Sequence, residues 1–177
     1  MSQKLLSRAE ILEALQALAS ELPPDSPTEI IVGGGAALVL LYDAREATKD
    51  VDALALISVD PSKIRSAAMK AATLVGLPQD WLNDGAKGYL HGLLPGEILF
   101  EQPPLTVRSV APQQLLAMKL SAWRDDVDIA DARLLLGKLS GNMDEVWKSI
   151  EPYLVPGREL KARYAFEDLW DLEHGHS

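Results

Sequence analysis

The chain has 177 residues, room for one globular domain but not for a second full substrate domain. Its 17 Lys and Arg against 26 Asp and Glu give a net charge of −9, which argues against a broad cationic face for duplex DNA and leaves room only for a small basic pocket. Cys is absent, so there is no disulfide, thiolate zinc site or cysteine nucleophile, and no apolar run reaches the roughly 18–20 residues that span a bilayer.

These features, with no apolar signal core after Lys4 and Arg8, predict a soluble cytoplasmic protein without a membrane partner. In chain order, Ile11, Leu12, Leu15 and Leu18 predict a helix over 7–20, with Ser7 and Glu10 as a capping box. Pro23, Pro24 and Pro27 end it. Ile30-Ile31-Val32 then forms a short strand running into Gly33-Gly34-Gly35, and 36–42 reads as a buried, uncharged helix. Residues 50–59 alternate at first and become almost wholly apolar, which predicts a central strand buried on both faces.

Pro61 suits the first turn of a helix over 62–74, with Asp60 placed to cap it. Residues 76–96, with Pro78, Gly85, Gly88, Gly92 and Pro95, predict loops and short turns. Two short strands, 98–100 and 105–110, flank Pro103-Pro104, and helices follow over 113–123, 128–139, 144–153 and 160–172. The sum is an α/β protein: one domain, with a mixed sheet and N-terminal helix in 1–110 and a helical C-terminal segment in 111–177. Trp81, Trp123, Trp147 and Trp170 have helical or apolar neighbours and read as core aromatics.

The chemistry concentrates at Gly33-Gly34 and at Arg45-x-x-Thr48-x-Asp50-Val51-Asp52. Residues two apart on a strand share a face, so Asp50 and Asp52 would set two carboxylates side by side, repelling each other unless a cation joins them. Hard divalent cations such as Mg²⁺ take oxygen ligands of this kind. A glycine turn before a helix can present backbone N–H groups to phosphates. These are the parts of a metal-assisted phosphoryl or nucleotidyl transfer site.

Here the sequence resembles the nucleotidyltransferase superfamily (DNA polymerase β-like), and more closely the AbiEii-type toxin nucleotidyltransferases and their uncharacterised bacterial relatives. Their pattern of Gly-Gly-x-Ala, a helix, then Arg-x-Ser/Thr-x-Asp-hydrophobic-Asp stands here as Gly33-Gly34-Gly35-Ala36 and Arg45-Glu46-Ala47-Thr48-Lys49-Asp50-Val51-Asp52. A second block, Leu115-Leu116-Ala117-Met118-Lys119, Arg124 and Asp128-Ile129-Ala130-Asp131, matches the family's Lys, Arg and Asp-x-x-Asp. On one continuous helix Arg124, Asp128 and Asp131 would share a face; the plain alternative is a solvated Arg–Asp ladder. Pro78-Gln79-Asp80-Trp81-Leu82-Asn83-Asp84 also looks like a segment of the uncharacterised relatives, with no mechanism attached. The resemblance spans roughly 28–135.

The resemblance implies a nucleotidyltransferase-like mixed sheet flanked by helices. Asp50 and Asp52 would hold one or two Mg²⁺, with Mn²⁺ able to substitute, bridging an NTP. Gly33, Gly34, Arg45 and Thr48 would line the nucleotide, Lys119 or Arg124 would neutralise phosphate charge, and Asp128 and Asp131 would orient those cations or the acceptor. The implied activity is transfer of a nucleotidyl group to an RNA or protein hydroxyl. By family analogy alone the chain would be the toxin of a toxin–antitoxin pair, with a protein antitoxin as partner.

Active superfamily members carry a third carboxylate on a later strand. Glu97, Glu101 and Asp84 lack the hydrophobic-acid-hydrophobic context it needs, so the rival reading is a catalytically degenerate module that binds a nucleotide or a protein partner. A Rossmann fingerprint fails at Leu38, a P-loop lacks its Gly-Lys-Ser/Thr, and His91, His174 and His176 are too scattered for catalytic zinc.

Overall fold

The β-branched run Ile30-Ile31-Val32 becomes the middle strand of a five-stranded mixed sheet. The computed structural model describes residues 4–42, 45–57, 60–85, 87 and 90–175. The predicted positions Ser58, Val59, Gly88 and His176 lie outside them. The fold is mixed α/β with a helical C-terminal segment. It divides into one unit of residues 1–86 with 95–110 and another of residues 87–94 with 111–177.

In the first unit, β1 (Leu6–Ser7) leads directly into α1 (Arg8–Glu21). Ser7 caps α1 by accepting from the Glu10 N–H at 3.2 Å, and the Glu10 carboxylate accepts in return from the Ser7 N–H, completing the predicted capping box. β2 (Thr28–Gly33) runs straight into α2 (Gly34–Tyr42), and two short strands follow, β3 (Ala47–Thr48) and then β4 (Val51–Ile57). α3 (Pro61–Val75) is capped by Asp60, which accepts from the Ser62 N–H at 2.9 Å, and ends at Gly76 with φ +74. β5 (Leu82–Asn83), β6 (Pro95–Gln102) and β7 (Leu105–Val110) complete the unit.

The sheet order is β5-β4-β2-β7-β6, with β2 antiparallel to β4 and parallel to β7. α2, charge-free and buried from Ala36 to Leu40, packs against β2, β4 and β7. α1 and α3 pack on each other, α1 burying Ile11, Ala14, Leu15 and Leu18 and α3 the small face Ala67, Ala68, Ala71 and Ala72.

Two expectations change. β4 is not buried on both faces: Ala55 is exposed, and Asp52, Ala53, Leu54 and Leu56 are half-buried. Its neighbour β5 reaches only Val51 and Asp52, so the central position falls to β2 instead. β6 begins at Pro95 rather than Ile98, because an edge strand tolerates a proline as its first residue. β1 pairs with β3, Leu6 opposite Thr48 and Ser7 opposite Ala47, a contact with no local sequence signal.

In the second unit, α4 (Pro112–Ala122) is buried from Gln114 to Ala122 and packs against α5 (Asp126–Leu136), α6 (Met143–Ile150) and α7 (Glu159–His174). A helix buried on all sides belongs in a core. Gln114, wholly buried, accepts from the Leu94 N–H at 2.7 Å and donates to the Gly92 carbonyl at 3.1 Å, tying down the preceding segment. α5 begins two residues before the predicted start because Asp125 caps it, accepting from the Asp128 N–H at 3.0 Å. α6 stops at Ile150 and a 3₁₀ turn, Glu151–Tyr153, carries Pro152.

The last carbonyls of α4 are taken by cations: Arg158 donates to Ser121 O at 3.2 Å and Lys161 to Ala122 O at 3.0 Å. Of the tryptophans, Trp81 is fully buried, whereas Trp123, Trp147 and Trp170 are half-buried. Trp147 and Trp170 flank Phe166 at centroid distances of 5.3 and 5.9 Å.

Candidate functional site

The glycine turn and the Asp-x-Asp pair, about twenty residues apart in sequence, meet because β2 and β4 are antiparallel neighbours. Gly33 lies directly opposite Asp52 in the register. Gly34 follows with φ +62, a conformation that disfavours any side chain, and a Cβ there would stand 3.1 Å from Asp52 Oδ2. A Cβ on Gly35 would collide with the Arg45 guanidinium and sit 2.6 Å from Thr48 Oγ1. The first turn of α2 is therefore bare backbone, bordered by the Asp52 carboxylate and by Arg45 and Thr48. Thr48 is buried, and its hydroxyl donates to the Asp50 carbonyl at 3.4 Å.

Asp50 precedes β4 rather than lying in it, so the pair straddles the start of the strand. Both carboxylates nevertheless border one segment. Asn83 donates from Nδ2 to Asp50 Oδ2 at 3.0 Å, and a Cβ on Gly85 would stand 3.2 Å from Asp52 Oδ1. Asn83 and Gly85 are absent from the sequence-based site; the resemblance over 78–84 is the one signal that pointed there.

Mg²⁺ fits these residues. Its oxygen preference is met by two carboxylates, and only the lack of a side chain at positions 34 and 85 lets the backbone come this close to Asp52. The N-terminus of α2 adds backbone N–H groups and a dipole that favour anions. Glu97 and Glu101 lie on β6, three strand steps from β4, or about 14 Å at the usual inter-strand spacing. Asp60 is engaged as the cap of α3. Among the described residues no group of three or more Asp, Glu, His or Cys is placed to hold a metal.

The second block forms its own cluster in the helical unit, and it is not a solvated ladder. Asp128 and Asp131 are 1% and 5% exposed, and Lys119 Nζ lies 3.1 Å from Asp128 Oδ1 and 2.7 Å from Asp131 Oδ2. Nor does one helix carry the three residues. α4 ends at Trp123, whose φ of 37 turns the chain out of the helix, and α5 starts at Asp126. Arg124 in the connection still reaches Asp128, donating from its backbone N–H at 2.9 Å and from Nε at 3.0 Å.

Burial alone would raise the Asp128 pKa, but the Arg124 hydrogen bonds and the Lys119 charge outweigh it and bring it down to about 2, from an ordinary 3.8. A folded-state pKa below the unfolded one stabilises the fold at every pH above about 4, and that contribution is lost as pH falls from about 4 through about 2. The contribution is about 2 kcal/mol. Asp128→Asn should accordingly flatten the acid limb of the stability curve over that range, as read from urea unfolding at stepped pH. An unchanged limb would show that the carboxylate is not held as described.

Comparison of the chain with protein-family models, with curated proteins and with solved structures finds no match. Among the described residues, no helix is long and apolar enough to cross a membrane.

Proposed function

We propose that the protein is a Mg²⁺-dependent nucleotidyltransferase of the kind its motifs resemble, binding an NTP at the glycine turn and moving its nucleotidyl group to an RNA or protein hydroxyl. The observation that carries this reading is the Gly33–Asp52 register, which sets a carboxylate against a bare helix N-terminus. Such a place recruits a cation to the carboxylate and phosphate oxygens to the backbone N–H groups.

When bound, the metal supplies Lewis-acid neutralisation of phosphate and pyrophosphate charge, and Mn²⁺ would serve in its place. In the transfer, the acceptor hydroxyl oxygen bonds to the α-phosphorus and the bridge to the β-phosphate breaks. Pyrophosphate leaves with the electron pair, and the hydroxyl proton goes to a base. The chain's part is positioning and charge: Asp50 and Asp52 fix the cation, Gly33 and Gly34 let the backbone approach phosphate, and Arg45 and Thr48 flank the turn at Gly35.

One observation favours the second reading, a module that binds nucleotide without transfer. The side chain that donates to the Asp50 carboxylate is the Asn83 amide, which cannot serve as a base.

A thermal melt with Mg²⁺ and each of the four NTPs tests binding. At a hundred times the dissociation constant it should add about 2.7 kcal/mol, a rise of roughly 5–10 °C for a chain of this length. Incubation with α-³²P-NTP and cellular RNA or protein then separates the readings. Label in the acceptor establishes the transferase, binding without label establishes the module, and no melt response with any NTP rejects both.

A further inference from the structure

The segment around Trp81 stands outside both motif blocks, yet its far end meets both carboxylates. It is firmly anchored. Trp81 is 1% exposed, its indole N–H donates to the Ala68 carbonyl at 2.9 Å, and its own carbonyl accepts from the Val51 N–H at 2.7 Å. β5 then runs parallel to β4, Leu82 beside Val51 and Asn83 beside Asp52.

From this support Asn83 uses both ends of its amide. Nδ2 donates to Asp50 Oδ2 at 3.0 Å and to the Asp80 carbonyl at 3.2 Å, while Oδ1 accepts from the Gly85 N–H at 2.8 Å. We propose that Asn83 is a positioning residue for the Asp50–Asp52 pair and that residues 81–85 form a further wall of the metal site; this rests on the metal–nucleotide reading above.

The choice of side chain follows from charge. Asp50 sits ahead of the strand, so its carboxylate is not oriented by the β4 ladder. A Lys or Arg in place of Asn83 would hold it but cancel the charge that attracts a dication, and an acid would repel it. An amide donor holds the carboxylate and leaves its full charge for the cation. Gly85 belongs to the same design: a Cβ would stand 2.8 Å from Asn83 Oδ1 and 3.2 Å from Asp52 Oδ1, pushing both groups out of place.

The test uses the full chain, with Mn²⁺ alone as the probe, followed by electron paramagnetic resonance of the free ion and by melts with and without it. Asn83→Ala should weaken Mn²⁺ binding about tenfold, the lower end of what losing a partner of a metal ligand costs. Asn83→Asp keeps an oxygen for the Gly85 N–H, and so the turn, but sets a third carboxylate against Asp50. It should melt lower than wild type without metal and gain more from Mn²⁺ than wild type does.

Wild-type Mn²⁺ affinity in Asn83→Ala would overturn the positioning role and leave the metal site standing. If Asn83→Ala does not fold, Asn83→Asp decides: a Mn²⁺-induced rise equal to that of wild type overturns the proposal, and a larger one supports it. A wild-type chain that binds no Mn²⁺ removes the metal reading and this inference together.

Discussion

Lys119→Met is expected to destabilise the protein by about 3–5 kcal/mol, the cost of stripping one partner from a buried ionic cluster. Lys119 faces both Asp128 and Asp131, at 3.1 and 2.7 Å, and both carboxylates are almost fully buried. Arg124 still serves Asp128 after the change, but its side chain is 63% exposed and its bonds to Asp128 do not replace the ammonium between the two acids. Met keeps the length and apolar stem of Lys, so the loss reports charge rather than packing. Adding Asp131→Leu should recover part of the stability, because a carboxylate deprived of its cation costs more than an apolar side chain in the same place. Urea unfolding at pH 7 reads both. A loss below about 1 kcal/mol for Lys119→Met, the range of a surface pair, would mean the cluster is open to water.

Asp52→Asn should abolish the rise in melting temperature produced by Mg²⁺ and NTP, roughly 5–10 °C in the wild type, while leaving the metal-free fold intact or slightly more stable. The substitution keeps shape and half the acceptor capacity but removes the negative charge beside Gly34 and Gly85. The metal-free gain would come from relieved repulsion within the Asp50–Asp52 pair. Circular dichroism alongside the melt separates the outcomes. A folded variant with no ligand response supports the metal site, whereas a variant that unfolds makes Asp52 structural and removes the site assignment.

Much of this was legible because the signals are local. The Ser7–Glu10 box, the Asp60 cap ahead of Pro61 and the strand–glycine–helix unit at 28–42 each depend on residues within a few positions of one another. The paired motifs at Gly33-Gly34 and Asp50-x-Asp52 were visible as chemistry, and the antiparallel β2–β4 neighbourhood brings them together.

What the sequence determined by itself was the mixed α/β class, the helical tail, the caps and the residue types of a candidate metal and phosphate site. Tertiary structure alone decided which groups face those residues and which of them water reaches. It made β2 the middle strand and left β4 partly open, because strand order is set by pairings many residues apart. It buried Lys119, Asp128 and Asp131, since α4 and α5 are joined at an angle-changing Trp123 and packed together, so helical periodicity along one axis could not describe their surroundings. It also placed Asn83 on Asp50 across a separation of 33 residues, through a two-residue parallel strand too short to leave a periodic signature.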